Sequence, residues 1–146
     1  MNISNMKLSS IEARRYSEPQ QRPQNVRIDH NSTVTLFSAK GANEASIEFQ
    51  YTASYGPLGL IKLSGDFHFT ADNAREIAEQ WSENKNMPEE VASHIHTAIM
   101  HFCLPEAVMV SRDLRLPPPI PMPQVKFDKD KGAQQQGKGG FSPEVA

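Results

Sequence analysis

Two runs of strict alternation, joined by a short Gly/Pro segment, restrict this chain more than any other feature. Ile47, Phe49, Tyr51, Ala53 and Tyr55 alternate with Ser46, Glu48, Gln50, Thr52 and Ser54. Beyond Gly56-Pro57-Leu58-Gly59, a second row of Ile61, Leu63, Gly65, Phe67 and Phe69 alternates with Lys62, Ser64, Asp66 and His68. A period of two sends successive side chains to opposite faces of a strand, so each run has one apolar and one polar face. Across a tight turn they predict a β-hairpin in an antiparallel sheet with one wet side. Gly65 leaves a gap in the apolar row, which predicts a close backbone approach or a kink.

The flanks extend this sheet. Residues 1–5 are polar and read as a flexible N-terminus. From Met6 to Tyr16, Leu8, Ile11, Ala13 and Tyr16 change spacing partway, which predicts a strand with a bulge. Ser17 to Gln24, with Pro19 and Pro23, reads as a crossover loop. Val26, Ile28, Val34 and Leu36 share one parity, which predicts one long strand or two short ones broken near His30-Asn31-Ser32.

From Thr70 the period lengthens to that of a helix. Ala74, Ile77, Ala78 and Trp81 form one stripe, with Thr70 or Asp72 as the cap. A second helix is predicted from Pro88 to Cys103, with Pro88 at its first position and Glu89 and Glu90 in its first turn. Its stripe is Val91, Ile95, Ala98, Ile99 and Phe102, and Pro105 stops or restarts it. The run Leu116-Pro117-Pro118-Pro119-Ile120-Pro121-Met122-Pro123 lacks most backbone N–H donors and is extended polyproline II. The aliphatic residues within it favour a strap packed on its own domain over a free ligand for an aromatic groove. The expectation is a single α+β domain over residues 6–127, a four-stranded antiparallel sheet with helices on one face, followed by a disordered polar tail over residues 128–146.

Little in the chain points to catalysis. The five histidines do not offer a metal pair: His94, His96 and His101 share a helix at gaps of two, five and seven, not four. His94 and His101 stand about 10 Å apart by helix rise. His30 and His68 fall on other elements. Cys103 is the one cysteine and lies in an apolar helical pattern, so it reads as a buried thiol. No phosphate-binding or nucleophile-elbow motif occurs, and Gly137-Lys138-Gly139-Gly140 lacks the strand and helix that would make it a phosphate loop. The chain therefore reads as non-enzymatic, with no cofactor and no metal.

Fifteen basic and 17 acidic residues give a net charge of −2, which supplies no general attraction to nucleic acid or anionic lipid. Arg14, Arg15, Arg22 and Arg27 lie near Tyr16 and Phe37, yet most aromatics have a sufficient role in the core, so a nucleic-acid platform is the minor reading. No secretory leader is visible and no apolar run approaches the roughly 20 residues that span a bilayer, so a cytoplasmic protein without membrane insertion is expected.

What remains is apolar surface. Phe49, Tyr51, Tyr55, Phe67 and Phe69 on the hairpin are joined by Met100, Phe102, Met109 and Met122. One sheet face needs all its helices to cover it, and any excess marks a partner interface. An ordinary core is the competing explanation, and a subunit with fixed assembly partners is the competing function.

The order of elements resembles the SecB export-chaperone family and its SecB-like relatives. The resemblance rests on strands Ile47–Tyr55 and Ile61–Phe69, with Ser64-Gly65-Asp66-Phe67 matching a Gly-x-Phe feature of the family's fourth strand. It continues through helix Pro88–Cys103 and Leu114-Arg115-Leu116-Pro117 to Val125-Lys126-Phe127, covering about residues 6 to 127 with short motifs. It implies a homo-oligomer, a tetramer made as a dimer of dimers with helices at its centre. It also implies ATP-independent binding of unfolded or partly folded clients in apolar grooves. By position, the resemblance makes Tyr16, Phe37, Tyr55, Leu58 and Leu60 the client-binding candidates. The chain departs from the family after Phe127, where a second long helix is usual and Asp128 to Ala146 carries no amphipathic stripe. That departure makes an adaptor with one dedicated client as good a reading as a general chaperone.

Overall fold

The computed structural model describes residues 1–17, 26–121, 123 and 125–127. Four strands, β1 (Asn2–Arg15), β2 (Asp29–Ala39), β3 (Glu44–Ser54) and β4 (Gly59–Thr70), precede two helices, α1 (Ala74–Asn84) and α2 (Glu89–Asp113). The sheet order is β1-β4-β3-β2, with every neighbouring pair antiparallel. Three strands joined by hairpins, with β1 reaching the far side of β4 by a long connection, make a Greek key.

The hairpin is as its alternation requires. Ile47, Phe49, Tyr51, Ala53, Ile61, Leu63, Phe67 and Phe69 are essentially inaccessible and face the helices. α1 packs chiefly on β2 and β3, while α2 reaches all four strands. The buried residues of α2 are Val91, Ile95, Ile99, Cys103, Ala107 and Ser111, one every four positions. Each such step turns about 40° on a helix of 3.6 residues per turn, so the buried row winds through about 200° and α2 crosses the sheet obliquely.

Several expectations are corrected. β1 begins at Asn2, so residues 2–5 belong to the sheet and are not a flexible end. Its register breaks between Ser4 and Lys7 and again between Leu8 and Ser10, and Asn5 takes a left-handed φ of 57° in the first break. Asparagine tolerates that conformation better than most residues. β2 is a single strand, and its irregularity lies between Val34 and Leu36, not at His30-Asn31-Ser32. The bulge turns Leu36 outward, 43% exposed, and brings Phe37 in.

The helices differ too. Neither Thr70 nor Asp72 caps α1, whose N-cap is Asn73 without a side-chain hydrogen bond. The β2–β3 turn serves the helix start instead: the N–H groups of Ala71 and Arg75 donate to the carbonyls of Asn43 and Ala42. Pro88 is the residue before α2, and the helix runs on through Pro105 to Asp113. Proline removes the donor for the His101 carbonyl. His101 and Pro105 both lie on the exposed side, while Ala107 and Ser111 prolong the buried row beyond it.

The strap packs on the domain at its start, with Leu116 5% exposed and Pro119 buried. Further along, Val125 and Phe127 are 89% and 78% exposed. All but the first residue of the crossover at Ser17 to Gln24, together with Met122 and the tail from Asp128 to Ala146, lies outside the described residues.

Candidate client-binding surface

Four of the five candidate residues gather at one end of the sheet. β1 and β4 pair Arg14 with Leu60 and Arg15 with Gly59, which carries the end of β1 to the β3–β4 turn. There the Tyr16 N–H donates to the Leu58 carbonyl at 2.7 Å, and the Tyr55 N–H donates to the Gly59 carbonyl at 3.0 Å. Gly59 is required by close approach: a Cβ would run into the Arg14 carbonyl and stand 3.3 Å from Leu116 Cδ1.

Accessibility divides the four. Tyr16 is 56% exposed and Leu60 half-buried, and both line a cavity of about 240 Å³ with Glu12, Ala13, Arg14 and Lys62. Tyr55 and Leu58, at 1% and 8%, are core residues. Phe37 stands apart from the other four: it lies at the opposite end of the sheet, 2% exposed, with its ring edge-on to Phe69 at 5.7 Å. In the folded chain Tyr16 and Leu60 are accessible, and Phe37, Tyr55 and Leu58 are not.

The Tyr55 hydroxyl donates to the Pro117 carbonyl at 2.7 Å, anchoring the strap to the sheet. Burial pushes its pKa up to about 12, with the nearby Ser111 hydroxyl pulling the other way. Arg15 reaches the same place, donating to the carbonyls of Leu114 at 3.2 Å, Arg115 at 2.6 Å and Ser17 at 2.9 Å. Arg115, at φ 55°, turns the chain out of α2 into the strap.

The surplus of apolar surface is real, but not where the alternation pointed. Phe49, Tyr51, Tyr55, Phe67 and Phe69 are wholly enclosed. One group of uncovered residues lies along the start of the chain, β1 and the flank of α2: Met1 is 52%, Ile11 51%, Phe102 37% and Met109 64% exposed. Ile3, Met6 and Leu8 are only partly covered beside them. A cavity of about 500 Å³ opens here, lined by Met1, Asn2, Ile3, Met6, His94, Ala98, His101 and Phe102. The signal in the sequence is the apolar content of Ile3, Met6, Leu8 and Ile11, hidden by the register breaks between them.

The helix histidines separate likewise. His94 and His101 are exposed, whereas His96 is half-buried, with Nδ1 2.8 Å from Ser32 Oγ. His30 Nδ1 lies 2.7 Å from the Tyr51 hydroxyl. Burial lowers the pKa of His96. The unfolded chain therefore takes up a proton below about pH 6.5 that the folded chain resists, and stability falls as pH drops through that range. The melting temperature is expected to fall between pH 7.5 and 5.5, and His96→Gln to flatten that fall; an unchanged slope in the variant would contradict it. Cys103 is buried and its pKa is pushed up to about 12 by that burial, so it is a thiol at neutral pH. Among the described residues no three histidine, cysteine or carboxylate side chains are grouped to hold a metal ion. No helix among them is long and apolar enough to cross a membrane.

The fold has a solved counterpart. The SecB-like chaperone Rv1957 of Mycobacterium tuberculosis, determined with a ChAD peptide from the HigA1 antitoxin, superposes with a TM-score of 0.52. The match covers 86% of this chain and 87% of that one at 11% identity. A protein of unknown function from Streptococcus agalactiae aligns over 86% of this chain and 96% of its own at 8% identity and a TM-score of 0.47. No family model and no curated protein matches the chain. The four-stranded antiparallel sheet followed by two helices is thus a SecB-like α+β fold, established by structure and not by sequence.

Proposed function

We propose that this chain binds apolar segments of unfolded or partly folded proteins without ATP, as a cytoplasmic, homo-oligomeric holdase or dedicated adaptor. The observation that carries this reading is apolar surface left uncovered in two places, at Tyr16 and Leu60 on one end of the sheet and in a strip of Met1, Ile11, Phe102 and Met109 beside β1 and α2. Burial of such surface stabilises association by about 25 cal/mol per Å², with no covalent step. The SecB-like counterpart, solved with a peptide bound, gives the same fold a precedent for holding a protein segment. In this reading the strip joins copies of the chain, and the end carrying Tyr16 and Leu60 meets the client.

Light scattering of an unrelated, chemically unfolded protein diluted into buffer tests the reading. The intact chain without nucleotide is expected to suppress the aggregation signal, and Tyr16→Asp to weaken that suppression several-fold. No suppression would assign the chain to fixed assembly partners instead. The molar mass of the purified chain should be a multiple of its 16.3 kDa; a monomer would remove the role given to the strip.

A further inference from the structure

The strap is held in an unusual way. Its prolines at 117, 118 and 119 have no N–H to give, so nothing resembling a strand ladder secures it. Its attachments are the Leu116 side chain, buried beside Gly59; the Leu116 N–H, which donates to the Ser111 carbonyl at 2.9 Å; the Tyr55 hydroxyl on the Pro117 carbonyl; buried Pro119; and Arg15 on the carbonyls of Leu114 and Arg115. Past Pro119 the grip ends, with Ile120 37% exposed.

The Leu116 seat and the Tyr55 donor would suit another chain equally well, whereas the Arg15 bonds hold the end of α2 and stay with the protein. The space above Gly59 takes one branched aliphatic side chain. The Tyr55 hydroxyl needs a carbonyl acceptor, since a buried donor without one is costly. A residue preceding proline is biased to the extended form that places both groups correctly. The seat also adjoins Tyr16 and Leu58, which share a hydrogen bond on the same end of the sheet.

We propose that the seat of Leu116–Pro119 is an exchangeable peptide site for an extended leucine–proline segment of a client, with the chain's own strap as its intramolecular competitor. The proposal rests on the client-binding reading above and names the segment chemistry that reading leaves open. A tethered competitor acts at an effective concentration in the millimolar range, so only a segment that adds contacts elsewhere displaces it. The strap therefore sets a threshold: short leucine–proline stretches are refused, and those continuous with a second anchor, such as one on Tyr16 and Leu60, are accepted.

The test uses the full chain and a fluorescent peptide of residues 116–121, Leu-Pro-Pro-Pro-Ile-Pro, followed by anisotropy. Leu116→Ser, and the milder Leu116→Ala, are expected to bind it at least tenfold more tightly than the wild type. The same peptide with serine in place of leucine should not bind, and adding Tyr55→Phe should abolish the gain. Unchanged affinity in both folded variants would overturn the proposal. Trypsin on the wild-type chain gives an answer independent of folding in the variants. Millimolar peptide is expected to speed cleavage after Arg115 at least threefold, the serine peptide should leave it unchanged, and equal rates with both peptides would overturn the exchange. Failure here alongside intact suppression of aggregation removes the seat alone. Peptide binding without suppression keeps the seat and removes the chaperone reading.

Discussion

Gly65→Ala is expected to lower the stability of the folded chain by about 3 kcal/mol or more, beyond what the change from glycine to alanine costs at an open site. Gly65 sits in the centre of β4, paired with Leu8 on one side and Phe49 on the other. A methyl group there would run into the Lys7 carbonyl and stand 2.9 Å from Phe49 Cζ and 3.0 Å from Leu8 Cα. Two of the three obstacles are backbone, which has no rotamer to retreat into. β1 must part from β4 at the middle of the pair, next to its own register break. Chemical denaturation measures the loss, and hydrogen exchange should place the damage in β1 before β3. Gly41→Ala is the control, since nothing lies within 4 Å of a Cβ there, and it should stay within about 0.5 kcal/mol of the parent. Equal stability of the Gly65 variant and its control would show that the strands are less closely apposed than described.

Phe49→Ala is expected to cost about 3–5 kcal/mol, the range for emptying a buried aromatic site. The ring is 1% exposed and packs against Phe67 with centroids 5.8 Å apart. Urea titration at constant pH gives the figure, and a loss under about 1 kcal/mol would contradict the packing. The two substitutions together are informative because they share one contact. Deleting the Phe49 ring removes only the side-chain obstacle to a methyl at position 65. The double variant should therefore keep most of the Gly65→Ala penalty, and complete rescue would show that the ring, not the β1 backbone, fills the gap.

The hairpin and α1 were legible because their periods run unbroken. Where the sequence misled, a local rule lost to a longer-range one. β1 was cut short because Asn5 and the two register breaks scatter its apolar residues, so Ile3 does not read as part of an alternation. Leu36 shares the parity of Val34 in the sequence, but one extra residue in β2 reverses parity for the rest of the strand. Pro105 looked like a helix end, yet burial of Ala107 and Ser111 outweighs one missing backbone bond. The candidate surface was legible in part. Tyr16, Tyr55, Leu58 and Leu60 meet because β1 pairs with β4 across more than 40 residues, and Phe37 follows a different strand to the far end. The Arg15 bonds to Leu114 and Arg115 and the Ser32–His96 pair join residues 64 to 100 positions apart, a relation no local pattern contains.

The register of β1 on β4, with Asn2 opposite Thr70, also sets a timetable. The strand made first on the ribosome can be placed only after β4 has emerged, whereas β2, β3 and β4 need nothing but their immediate neighbours in the chain. Closing so long a loop carries an entropic charge that the meander does not share. Before β1 docks, β4 is the edge of the sheet, with its outer row of backbone donors and acceptors unpaired.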